Sequence, residues 1–121
     1  MERLQSVVAN FLNDRPVMAI ENQNITKVFE LLKGEVGEAE EVLDNKEKLS
    51  QELPDILWFV ATVANVMGIN LYDALETKLQ RNELKYPQSA LQEGNYDEIM
   101  PQLKQEWKEN GGDERFYQNI A

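Results

Sequence analysis

An all-α fold is what this sequence predicts, and three observations carry the expectation. Apolar residues recur at helical spacing through four long stretches. Asn, Gly and Pro stand where those stretches begin and stop. No run alternates between apolar and polar residues as a half-buried strand does. At 121 residues the chain fits one domain, large enough for an ordinary core without staples. The expected architecture is a four-helix core over residues 1–87, with residues 88–121 a C-terminal helical extension of the same domain.

The first helix rests on Leu4, Val7, Val8, Phe11 and Leu12, and stops near Asn13-Asp14 ahead of Pro16. Residues 14–23 read as a connection, with Met18 and Ile20 covering a core edge. Asn24 caps a second helix that runs to about Leu43, its stripe formed by Ile25, Val28, Phe29, Leu32, Val36, Ala39 and Leu43. After the Asp44-Asn45 turn a third helix extends to Gly68, on Leu49, Leu53, Ile56, Leu57, Val60, Ala64 and Met67. Pro54 lies inside that pattern and predicts a kink or a late start. Trp58, Phe59, Val63 and Val66 widen its apolar arc until the helix is hydrophobic nearly all round, which predicts burial on two sides and hence an oligomeric bundle. A fourth helix runs from Leu71 to about Leu84 and is stopped at Tyr86-Pro87. Asn95 with Glu98 forms a capping box for a last segment to Asn110, its regularity limited by Pro101. Gly111-Gly112 ends that segment, leaving a tail that is frayed or docked through Phe116 and Tyr117.

Composition narrows the chemistry. The chain has no Cys, hence no disulfide, thiolate site or Cys nucleophile. It has no His, which removes the commonest general base, the usual zinc ligand and the Glu-x-x-His signature of di-iron bundles. A net charge of −10 argues against a nucleic-acid surface, though not against a small polyphosphate recruited by a metal. The start of the chain lacks a long apolar segment, and the run Ile56 to Met67 is too short for a bilayer. A soluble, cytoplasmic protein with no membrane partner is expected.

Two pairs of acids stand out. Glu35/Glu38 and Glu52/Asp55 are each spaced three apart, about 60° around a helix, on the shoulder of an apolar stripe. Folded back as a hairpin, the two helices converge four carboxylates on one spot. Four like charges in a partly dry site call for a divalent cation, and an oxygen-only donor set points to Mg²⁺ or Mn²⁺ ahead of Ca²⁺. Taken bare, the pattern is weak, because 22 acidic residues in one chain make some such quartet common by chance. The fourth helix adds Lys78, Arg81, Asn82 and Lys85, a concentrated run of donors in an acidic protein.

The text around the acids is more specific. Leu31-Leu32-Lys33-Gly34-Glu35-Val36-Gly37-Glu38-Ala39-Glu40, then Gln51-Glu52-Leu53-Pro54-Asp55-Ile56-Leu57-Trp58, resembles the MazG-like nucleotide pyrophosphohydrolases of the all-α NTP pyrophosphatase superfamily. Lys78 to Pro87 looks like the end of that family's fourth helix, so the likeness covers roughly Leu4 to Pro87. It implies Mg²⁺-dependent cleavage of a nucleoside triphosphate to the monophosphate and pyrophosphate, in a homodimer or homotetramer. Glu35, Glu38, Glu52 and Asp55 match the family's metal-binding acids, and Lys78, Asn82 and Tyr86 match positions that approach phosphate, sugar or base. Gly34 stands where many relatives carry Glu, and Phe59 where an aromatic hydroxyl is common, which puts one sugar contact in doubt.

With no His, a carboxylate must orient or deprotonate the attacking water, and Glu38 at the outer edge of the cluster is the candidate. Lys78, and after it Arg81, is placed to hold the departing pyrophosphate, while Phe29, Trp58 or Tyr86 offers a ring to the base. Core packing is the plainer role for each ring, and for Phe29 the stronger one. Two other readings stay open: a non-catalytic helical oligomerisation protein with a solvated acidic face, and a dUTPase-like hydrolase with the same chemistry.

Overall fold

The computed structural model describes residues 2–120, and among them there are α-helices, one 3-10 turn and no strand. The chain divides into two compact units, Met1–Tyr72 and Asp73–Ala121.

The first unit holds α1 (Glu2–Asn13), α2 (Pro16–Glu21), α3 (Ile25–Glu40) and α4 (Lys46–Met67). The expected connection over residues 14–23 instead contains α2, because Pro16 at the first helical position has the backbone angle a helix start needs and lacks the N–H that would go unpaired there. Asn24 caps α3 by accepting from the Lys27 N–H at 3.2 Å, and Asn45 caps α4 by accepting from the Lys48 N–H at 3.0 Å. α3 stops at Glu40, short of the expected Leu43, and residues 41–44 form the turn that folds α4 back on α3. Pro54 sits inside α4 and not at its start, so the Ser50 carbonyl has no helical donor. Gly68 ends α4 at φ +68°, with the Ile69 N–H reaching the Ala64 carbonyl at 2.8 Å.

Helix packing here uses small side chains. α3 against α4 is the most extensive pairing, followed by α1 against α4. Val8, Val28, Ala39, Ala61, Thr62 and Ala64 are buried, so the helices approach closely. The Gln5 amide ties α1 to the end of α4: it donates to Asn65 Oδ1 at 3.1 Å and to the Ile69 carbonyl at 2.7 Å, and its oxygen accepts from the Leu71 N–H at 2.8 Å. Trp58 meets Phe11 edge to face, with centroids 5.1 Å apart.

Most of α5 (Leu71–Lys85) belongs to the second unit, followed by a 3-10 turn (Gln88–Ala90), α6 (Tyr96–Glu109) and α7 (Gly112–Ile120). The Asn95 side chain caps α6 by accepting from Asp97 N–H at 2.8 Å, and α6 continues through Pro101. The chain turns at Gly111 and Gly112, both at positive φ, and the tail then forms α7, docked rather than frayed. Phe116 is buried against Trp107 and Tyr117, with centroids 6.3 and 5.1 Å away.

Two glycines separate backbone strain from packing. A Cβ meets nothing within 4 Å at either Gly68 or Gly34, but only Gly68 has positive φ. Gly68→Ala is expected to cost about 1–2 kcal/mol, whereas Gly34→Ala, inside α3, should add up to about 1 kcal/mol. Urea midpoints at constant slope measure both, and equal signs would contradict this assignment.

Candidate functional site

The α3–α4 hairpin carries all four acids of the expected cluster. One turn separates Glu35 from Glu38 on α3, and one turn separates Glu52 from Asp55 on α4. Carboxylate oxygens of Glu35, Glu52 and Asp55 lie within 4.8 Å of one another. Glu35 and Glu52 are part-buried, while Asp55 is exposed. Glu38 is exposed too, and its carboxyl borders both Glu35 and Glu52.

Electrostatics follow from that crowding. Burial, then the Glu38 carboxyl, then the charges of Asp55 and Glu52 push Glu35 up to about 7. Burial also raises Glu52, with Glu38, Asp55 and Glu41 adding to it. Among the described residues, nothing donates a hydrogen bond to the buried Oε2 atoms of Glu35 and Glu52. Acidic clusters on a wet surface are ordinary, but buried acceptors are nearly always paired, and leaving one unpaired is unfavourable, more so when it is charged. Glu35 and Glu52, each with one orphaned oxygen, come together with Asp55 in a carboxylate set that fits a hard divalent cation.

The same unit contains a cavity of about 600 Å³ lined by Asn13, Ala19, Asn22, Gln23, Thr62 and Asn65, with further apolar neighbours. Asn22 is only 7% exposed and lines this cavity. Thr62 follows Asp55 by seven residues, so it lies on the same face of α4 about 10 Å along the axis. Asn22 was not singled out from sequence, because it falls in the stretch read as a connection.

In the second unit, α5 presents Lys78, Arg81, Asn82 and Lys85, with Tyr86 just beyond its end. Arg81 grips Asp113 through two hydrogen bonds, Nε to Oδ1 at 2.7 Å and Nη2 to Oδ2 at 3.1 Å, and gives Nη1 to Asn82 Oδ1 at 2.8 Å. Trp107 Nε1 donates to Asp113 Oδ1 at 2.9 Å. Those bonds, the one from Arg81 first, hold the Asp113 carboxyl down at about 2. The Lys78 ammonium stands 5.4 Å from the Tyr117 ring centroid, and that of Lys85 5.2 Å from the Tyr86 ring. Asp113 and Trp107 were also not singled out: an acid in a helix's first turn and an aromatic on an amphipathic stripe give no signal of a mutual bond. Of the other rings, Trp58 is engaged with Phe11, and Phe29 is 46% exposed instead of packed in the core.

No single helix among the described residues is long and apolar enough to cross a membrane. No curated protein and no solved structure matches the chain. A family model described as the MazG nucleotide pyrophosphohydrolase domain does match, over residues 23–89. The match begins nineteen residues after Leu4, about where the Asn24 cap opens α3, and ends just past Pro87. It takes in both acid pairs together with Lys78, Arg81, Asn82 and Tyr86. That stretch is more than half of the 121 residues, and with it this chain belongs to the MazG nucleotide pyrophosphohydrolase family.

Proposed function

We propose that the protein is a Mg²⁺-dependent nucleoside triphosphate pyrophosphohydrolase, splitting a (d)NTP into (d)NMP and pyrophosphate as a house-cleaning step against non-canonical nucleotides. Mn²⁺ is the alternative ion. The observation that carries this reading is the pair of orphaned oxygens on Glu35 and Glu52 beside Asp55, on two helices that the family model spans. Glu35, Glu52 and Asp55, joined by Glu38, are the residues that hold the cation in this reading. The ion supplies charge neutralisation on the non-bridging phosphate oxygens.

The chain's own groups do the rest. Glu38, exposed at the edge of the cluster, orients the attacking water and takes its proton. Lys78 and Asn82 offer donors to phosphate and sugar, Arg81 stands behind them, and Tyr86 offers a ring with a hydroxyl. The uncharged, amide-lined cavity along α4 suits a neutral ring that exchanges hydrogen bonds, which is the chemistry of a base. Exposed Leu53, Leu57, Val66 and Met67 on α4 support assembly as a homodimer or homotetramer. A cytoplasmic setting, where nucleotides are abundant, completes the reading.

Release of pyrophosphate from a panel of canonical and modified nucleoside triphosphates, with and without Mg²⁺, tests the activity. Turnover that needs Mg²⁺ is expected, and Glu38→Ala and Asp55→Ala should each lower it by roughly a hundredfold or more while the fold survives. Unchanged hydrolysis in both variants sinks the assignment.

A second expectation concerns pH. Folded Glu35 titrates near 7 against 4.5 for the ordinary carboxyl, so in that window the native state holds a proton that the unfolded chain has lost. Its contribution to the stability of the metal-free protein therefore falls as pH rises from about 4.5 through about 7. Mg²⁺ requires the deprotonated form, so its stabilising effect should grow over the same window. Melting curves across pH, with Mg²⁺ or EDTA, check both slopes. A Mg²⁺ effect that is absent at all pH values contradicts the site.

A further inference from the structure

Beyond the residues matched by the family model, α6 and α7 hold the side chains of α5 that face substrate in the reading above. The contact is specific. Asp113, in the first turn of α7, accepts from Nε and Nη2 of Arg81 and from the indole N–H of Trp107. Its two oxygens are thereby occupied on one side by a planar fork, the geometry in which a guanidinium is most firmly oriented. The α7 anchor is itself secured, since Phe116 is buried one turn further on and packs with Trp107.

The consequence reaches Asn82. A guanidinium has only donors, so the Asn82 carboxamide must turn its oxygen toward Arg81 Nη1, 2.8 Å away. Its two N–H groups then face the other way. An Asn side chain without such a partner presents oxygen or nitrogen with little preference, and an outward oxygen repels phosphate. The Arg81 charge is matched by Asp113, which leaves Arg81 as the part that sets the direction of Asn82 and Lys78 as the neighbouring cation.

We propose that Asp113 is a positioning residue: acting through Arg81, it fixes the Asn82 carboxamide with its N–H groups outward, toward an anionic or hydroxylated part of the substrate. The C-terminal segment is thus a support for the donors of α5. This inference rests on the reading that Asn82 contacts substrate.

The test uses the full chain and compares Asp113→Asn, Asn82→Ala and the double variant. Asp113→Asn should raise KM for the triphosphate about tenfold with a much smaller change in kcat, and the double variant should be no worse than Asn82→Ala alone. Asp113→Glu, which keeps the charge, should recover part of the loss. The side-chain amide signals of Asn82 in a ¹H–¹⁵N spectrum should shift in Asp113→Asn while backbone signals of α3 and α4 stay in place. Additive kinetic effects, or unmoved Asn82 amide signals, overturn the proposal. If Asp113→Asn does not fold, Trp107→Phe removes one of the three bonds and keeps a ring; a KM increase supports the proposal and an unchanged KM overturns it. A wild-type protein that hydrolyses no triphosphate defeats the enzyme reading alone, because the amide signals still report whether Asp113 orders Asn82.

Discussion

Like charges held close together in a half-dry hairpin are the constraint on which the first unit turns. Glu35 and Glu52 are partly buried, neighbour Glu38 and Asp55, and each keeps one oxygen without a hydrogen bond. Water would relieve that repulsion by solvating the oxygens, and burial prevents it. The helices stay together because the turn at residues 41–44 is short and because Ala39, Ala61 and Ala64 present no bulk to push them apart. Electrostatic cost and binding capacity therefore have one source: the oxygens left unpaired are those a cation can take.

Several features of the unit serve that arrangement. Asn24 and Asn45 set where α3 and α4 begin, and so set the register in which the two acid pairs meet. Gln5 joins α1 to the far end of α4 and to the start of α5 with a single amide, using its oxygen and nitrogen at once. One polar side chain thus pairs backbone groups where one helix ends and the next begins, groups that would otherwise depend on water.

The second unit solves a different problem. The proposed binding of an anion requires a chain with a net charge of −10 to keep cationic and amide donors clear of its own surplus of acids. Asp113 pairs with Arg81 and also accepts from Trp107, while the Lys78 ammonium stands over the Tyr117 ring. Aromatic faces attract a cation more weakly than a carboxylate does, so Lys78 remains available to an anion.

Local signals reach only so far along this chain. The helical class, the caps at Asn24, Asn45 and Asn95, the αL stop at Gly68 and the four acids on two consecutive helices were all legible, because period, cap chemistry and spacing act within a few residues. The short helix α2 and the helix α7 were not, since neither is long enough to show a stripe and each depends on where its neighbours dock. Which oxygens lose their solvent, that Glu35 and Glu52 and not Asp55 are half-buried, and that Asp113 finds Arg81 thirty-two residues away were decided by the tertiary structure. Burial and long-range pairing depend on which surfaces close over a side chain, and that information is spread over elements far apart in the sequence.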